Sequence, residues 1–227
     1  QFKRTFSTAA LAAAKPYTRE LAKLDASEPW CIELRVDNGL TIYYRGQAAL
    51  KLTKLGGKNP RAKRFSQHKD EGLPTLDGLV DLLNKEKQAI EDHLTDKHHD
   101  HRQTELSAQA ALMASLMQSG DFLPTDQQVA VPASDLIDDE LQRVRVDLLC
   151  VEKQTRTLWL MELKLASNEE LDGAVLHQLE LTNRLPAALT GGVKQFVAHY
   201  QKLLDQKYEL GLLAEPVELN NAAPKAA

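Results

Sequence analysis

Two apolar runs, 143–151 (RVRVDLLCV) and 157–165 (TLWLMELKL), carry two acids and a lysine where a β-hairpin would otherwise bury only hydrocarbon. Paired about the turn at 152–156, they set Val151 against Leu158, Leu149 against Leu160 and Asp147 opposite Glu162. Two carboxylates with Cβ atoms about 5 Å apart repel unless a cation sits between them or one stays protonated. That placement reads as a metal site. Side-chain alternation puts Arg143, Arg145, Asp147, Leu149 and Val151 on one face of the first strand, and Leu158, Leu160, Glu162 and Lys164 on the matching face of the second. The opposite face is wholly apolar, from Val144 to Cys150 and from Trp159 to Leu165. A sheet that is apolar near the turn and charged at the far end is one buried between layers that opens into a cleft at one edge. Lys164 faces Arg145 in this register, so the cleft mixes acids with bases.

The neighbouring segments read as helices. In 103–118, Leu112 and Leu116 continue the line of Glu105 and Gln109, which puts Glu105 on a partly apolar face. Gly120, Asp121 and Pro124 end that helix, 128–131 offers a short strand, and an acidic loop at 135–140 leads into the Asp147 strand. A helix over 169–189 has the core line Leu171, Val175, Gln178, Thr182, Leu185 and Leu189, with Gln178 where leucine would be the ordinary choice. A last helix spans 193–206.

The order of helix with Glu105, short strand, Asp147 strand, Glu162-x-Lys164 strand and helix with Gln178 resembles the PD-(D/E)XK nuclease superfamily over residues 103–189. The resemblance implies an α/β fold with a restriction-endonuclease-like α-β-β-β-α core, its central mixed sheet flanked by helices, plus an N-terminal β-hairpin region. It carries the motif's first acid onto Asp147 and the E-x-K pair onto Glu162 and Lys164. Glu105 resembles the acid many members place on the first helix, and Gln178 the glutamine some place on the helix after the E-x-K strand. Val146 stands where the motif has proline, Thr182 stands where a tyrosine often follows the glutamine, and no final core strand is visible. The implied activity is a metal-dependent nuclease acting on phosphodiester bonds, in DNA as the commoner substrate. Asp147, Glu162, the carbonyl of Leu163 and Glu105 would hold Mg²⁺, with Mn²⁺ as a substitute, and Lys164 would orient and deprotonate the attacking water. Two alternatives stay open: a non-catalytic nucleic-acid-binding or protein-interaction module on the same fold, and a structural ion-pair network.

A net charge of −4 gives no global attraction to nucleic acid, so any contact must be a local patch. One candidate is the run 51–69, with seven Lys or Arg and no acid, where Lys58, Arg61, Lys63 and Arg64 are the expected phosphate contacts, joined by Arg145. A solvated loop is the plain alternative. The alternating segment 31–46 turns at Asp37-Asn38-Gly39, a strong hairpin signal; 48–55 reads as a further strand and 56–60 as a break. A helix over 76–94 carries the stripe Leu79, Leu82, Leu83, Ile90 and Leu94. It leads into His93, His98, His99 and His101, whose spacing fits no closed zinc site and reads as solvated surface.

No apolar run reaches the roughly 18 residues a membrane span needs. Cys31 and Cys150 lack metal-ligand spacing, which fits reduced core thiols in a cytoplasmic protein. Residues 1–19 hold four basic residues and no acid, the composition of a transit peptide, although the alanine-rich stretch 9–14 reads more readily as a plain helix. The expected organisation is an N-terminal hairpin region with basic loop at 1–75, a nuclease-like domain at 76–210 and a loose tail at 211–227. A homodimer is allowed.

Overall fold

The computed structural model describes residues 4–67, 69–95, 101–131, 133–163 and 174–227, with the side chains of 101–106, 114, 117, 133, 139, 143, 174 and 175 outside that description. It is a mixed α/β structure with two four-stranded sheets. The chain divides into an N-terminal unit, residues 4–111 with Leu203–Pro216, and a C-terminal unit, Leu112–Lys202 with Val217–Ala227.

In the N-terminal unit, β1 (Trp30–Arg35), β2 (Gly39–Tyr44), β3 (Gln47–Thr53) and β4 (Arg61–Arg64) form an antiparallel meander. The expected hairpin closes at Val36 to Asn38, where Asp37 and Asn38 both take positive φ (57° and 54°), the backbone that matches strand twist. One face presents Leu34, Leu40, Ile42, Leu50 and Leu52, all buried. Helix α2 (Leu79–Thr95) packs against β3 and buries Leu79, Leu83 and Ile90. Full burial of each such side chain contributes about 1.5–3 kcal/mol. The α2 stripe also carries a buried carboxylate, Glu86, which accepts from Ser66 N and Oγ at 2.7 Å each.

Residues 8–21 form α1 (Thr8–Leu21), N-capped by Ser7 Oγ, which accepts from Ala10 N at 3.2 Å. Gly56 (φ 71°) lets its loop touch the start of α1, since a Cβ there would lie 2.5 Å from the Ala9 backbone. Strand β4 lies inside the run expected to be loop.

In the C-terminal unit the strand order is β5 (Phe122–Ala130), β6 (Arg145–Glu152), β7 (Thr157–Met161), β8 (Lys225–Ala226). The first three are antiparallel and β8 is parallel to β7, making the sheet mixed. Strand β5 begins before the expected 128–131 because Pro124 is tolerated there: β5 is an edge strand, and its ladder shifts register between Pro124 and Asp126. Helices α3 (His101–Ser119), α4 (Ala174–Arg184) and α5 (Gly192–Glu209) complete the set, and the division between units falls inside α3 and α5.

These boundaries differ from those expected at 75 and 210. Helix α2 groups with the first sheet because its apolar stripe packs on β3. The segment expected to be a loose tail is held instead: Val217 is buried, and Gln201 donates to Val217 O at 2.8 Å and accepts from Leu219 N at 2.7 Å. Neither Cys31 nor Cys150 is in a disulfide. Among the described residues no helix is long and apolar enough to cross a membrane.

Candidate active site at the end of the β6–β7 hairpin

Strand β6 is buried along Val146 and Leu148–Val151, while Asp147 is half-buried at its polar end. The ladder runs Val151↔Leu158, Leu149↔Leu160 and, as its last pair, Leu148↔Met161, which is the register expected from the sequence. One step further that register sets Asp147 against Glu162. There β7 leaves the ladder, and the carboxylate takes over as acceptor: Leu163 N donates to Asp147 Oδ2 at 2.9 Å. The Glu162 amide turns to the other side and donates to Ala227 O at 2.9 Å.

Among the described residues, each carboxylate accepts from neutral donors. Gln178 Nε2 donates to Glu162 Oε2 at 2.6 Å and Thr182 Oγ1 to Glu162 Oε1 at 2.9 Å, so both residues clamp it from adjacent turns of α4. On the other side, Gln128 Nε2 lies 3.4 Å from Asp147 Oδ1. The β5 register places Gln128 between the pairs Gln127↔Leu148 and Val129↔Val146, and its φ of 52° is left-handed, a costly backbone for a residue with a side chain.

Helix α4 is anchored at its C-terminal end. Arg184 donates to Glu140 Oε2 at 3.0 Å and to Asp138, and these partners, Glu140 first, raise the guanidinium pKa. Leu136 bridges to Leu189 just beyond, with Ile137 N donating to Ala188 O at 2.9 Å. The acidic loop thereby fixes the helix that carries Gln178 and Thr182.

Of the residues expected at the site, Asp147, Glu162, Leu163 and Gln178 are brought together. Lys164 and the Glu105 side chain lie outside the described residues, as do His98, His99 and the His101 side chain. Among the described residues no group of three or more His, Cys, Asp or Glu is placed to hold a metal ion. Arg145 is exposed at the start of β6, and Lys58, Arg61 and Lys63 are exposed in the N-terminal unit. Arg64 is different. Its guanidinium donates to both oxygens of Glu71 at 2.8 and 2.7 Å, and its register partner is Leu50, on the sheet face opposite to that of Lys63.

Thr182 and Gln128 are functional candidates that the sequence reading missed. The signal for Thr182 was available: two polar residues four apart on one apolar helix stripe. Asp126 was also missed. It is fully buried on β5 and accepts from Gln127 N at 2.9 Å and Tyr200 Oη at 3.3 Å. No family model, curated protein or solved structure matches this chain.

Proposed function

We propose that the protein is a metal-dependent nuclease that hydrolyses phosphodiester bonds, with DNA as its substrate, at Asp147 and Glu162. The observation that carries this reading is at the polar end of a buried hairpin: Asp147 accepts from the amide of Leu163, the residue after Glu162, and each of the two carboxylates accepts from neutral donors among the described residues. The described donors to them, Gln128, the Leu163 amide, Gln178 and Thr182, are neutral, and neutral donors orient a carboxylate without adding charge of their own. The donor set is hard oxygen, which suits Mg²⁺ or Mn²⁺, and Mg²⁺ is commonly bound by one or two carboxylates with water filling its shell. Asp147 and Glu162, with the backbone of Leu163 beside them, would hold the ion. When bound, it supplies positive charge against a developing phosphorane and acidifies water.

The chain's own residues do the rest. Gln178 and Thr182 hold the Glu162 side chain in place, while Gln128 and the Leu163 amide hold Asp147. Lys164, two residues past Glu162, is assigned to orient the attacking water and take its proton. Glu105 is assigned to complete the ion's shell or position a water. Arg145 at the β6 end is assigned to a substrate phosphate. The chain order α3, β5, β6, β7, α4 supports the finer fold assignment, a PD-(D/E)XK-type core.

One observation favours a second reading, a non-catalytic module on the same fold: both oxygens of Glu162 already accept hydrogen bonds within the protein. Cleavage of supercoiled plasmid and of labelled single-stranded DNA and RNA, in Mg²⁺, Mn²⁺ or EDTA, separates the two. Metal-dependent cutting that is lost in Glu162→Ala and in Lys164→Ala is the expected result. No cutting by the folded protein supplied with either metal leaves the module reading.

A further inference from the structure

The two faces of the first sheet differ in chemistry. Its apolar face is buried, and its other face carries the register row Glu33, Thr41, Lys51 and Lys63, and beside it the pairs Arg35↔Gly39 and Thr53↔Arg61. Lys51 and Lys63 are directly opposed across β3 and β4. Like charges in that position destabilise a sheet. Among the described residues neither lysine forms an ion pair, and the row's one acid, Glu33, is buried and ion-paired to Lys207 at 3.2 Å.

An open concavity of about 410 Å³ lies here, lined by Arg35, Gly39, Thr41, Tyr43, Lys51 and Lys54 among others. Gly39 lines it without a side chain. Arg35 is set in place there, donating to Tyr43 Oη at 2.7 Å with its guanidinium 5.3 Å from the ring centroid. Burial, then the charges of Lys63 and Arg35, lower the Lys51 pKa. Asp37 also lines it.

We propose that this face binds the phosphodiester backbone of a nucleic-acid strand, with Arg35, Lys51 and Lys63 as its phosphate contacts. The cations span β1 to β4, about 14 Å at the usual strand spacing, which is more than one phosphate group covers. An extended polyanion therefore fits the surface better than a small phosphate ligand does. The ligand class rests on the nuclease reading, but the surface shares no residue with the carboxylate site and is tested without cleavage.

Fluorescence anisotropy in EDTA, with labelled single-stranded DNA, duplex DNA and RNA over a salt series, is the experiment. The double variant Lys51→Gln/Lys63→Gln is expected to bind at least tenfold more weakly and to flatten the log–log salt slope by about 1–2, one for each lost phosphate contact. Lys51→Arg/Lys63→Arg keeps the charges and should restore binding, and Lys23→Gln, on an exposed lysine paired to Glu20, should leave it unchanged. Equal affinity and slope in the double variant overturns the surface, as does the absence of binding by the wild-type chain. So does lysine-dependent binding to phosphatidylserine vesicles that no oligonucleotide competes away. A protein that binds through these lysines but never cuts keeps this surface and sinks the nuclease. One that cuts but binds independently of them does the reverse.

Discussion

Gln178 donates its amide to Glu162 Oε2 at 2.6 Å, and Thr182, one turn further along the helix, donates its hydroxyl to Oε1 at 2.9 Å. A glutamate has three side-chain torsions, and two donors on one helix remove most of that freedom. Positioning partners of this kind change metal affinity or activity by about 10–100-fold when removed. We expect Gln178→Ala and Thr182→Val each to raise the Mg²⁺ concentration for half-maximal cutting by about tenfold or more, with Thr182→Ser restoring it. An unchanged Mg²⁺ titration in both would make the clamp purely structural.

Gln128 holds Asp147 from a left-handed backbone. A β-branched residue is disfavoured there, whereas glycine takes a φ of 52° at no steric cost. Gln128→Val should destabilise by about 1–3 kcal/mol, and Gln128→Gly by less than about 1 kcal/mol, since relief of strain offsets its chain entropy. Both variants lose the 3.4 Å contact to Asp147, so both should cut more slowly. Equal losses of stability in urea denaturation would show that the positive φ carries no strain.

How far the fold was legible depended on what kind of signal each element carries. The β6–β7 register could be read because apolar residues and acids repeat symmetrically about one turn, and a slip of one residue would have exposed the whole core face. The Asp-Asn-Gly hairpin was legible for a similar local reason. Strand β4 was not, because Arg61, Lys63 and Arg64 leave only Ala62 as an apolar mark of a half-buried strand. Residues 217–227 look like a tail in sequence because what holds them is largely backbone and amide pairing: β8 against β7, Gln201 on either side of Glu218, and Asn220 on Thr155 and Thr157. Hydropathy does not report such pairing. At the site, Gln178 stood out as polar in an apolar stripe. Thr182, on the same stripe, registered only as a departure from a family pattern, because a threonine is unremarkable inside a helix.

Lys63 is expected to trade stability for binding. Its direct opposition to Lys51 is unfavourable by about 0.2–1 kcal/mol on the scale of cross-strand pairs, and threonine is a better strand residue at an exposed position. Lys63→Thr should therefore raise the denaturation midpoint slightly while weakening oligonucleotide binding. A fall in stability would mean that the two lysines do not repel in the free protein.

The remaining prediction concerns pH. Tyr44 Oη lies 3.0 Å from Glu28 Oε2 and 2.6 Å from Glu91 Oε1, and Lys87 donates to Glu28 Oε1 at 2.5 Å. The bond from Lys87, then that from Tyr44, lowers the Glu28 pKa below its ordinary 4.5, and the bond to Glu28 raises Lys87 above its ordinary 10.5. For a carboxylate whose folded pKa is depressed, the stability gained is fully present above the unfolded value and is lost as pH falls through the folded one. The lysine has the opposite sign: its contribution is present below 10.5 and is lost as pH rises through the folded value. Between those limits the cluster should contribute a constant amount, reduced by solvent because both side chains are partly exposed. The gap in urea midpoint between wild type and Glu28→Gln should accordingly be flat near neutral pH and should narrow on acidification below 4.5. Lys87→Met should leave that acid limb shallower, because it removes the largest cause of the Glu28 shift. A gap that stays constant down to the acid transition would mean that Glu28 has the same pKa folded and unfolded, and that the Lys87 contact contributes nothing to stability.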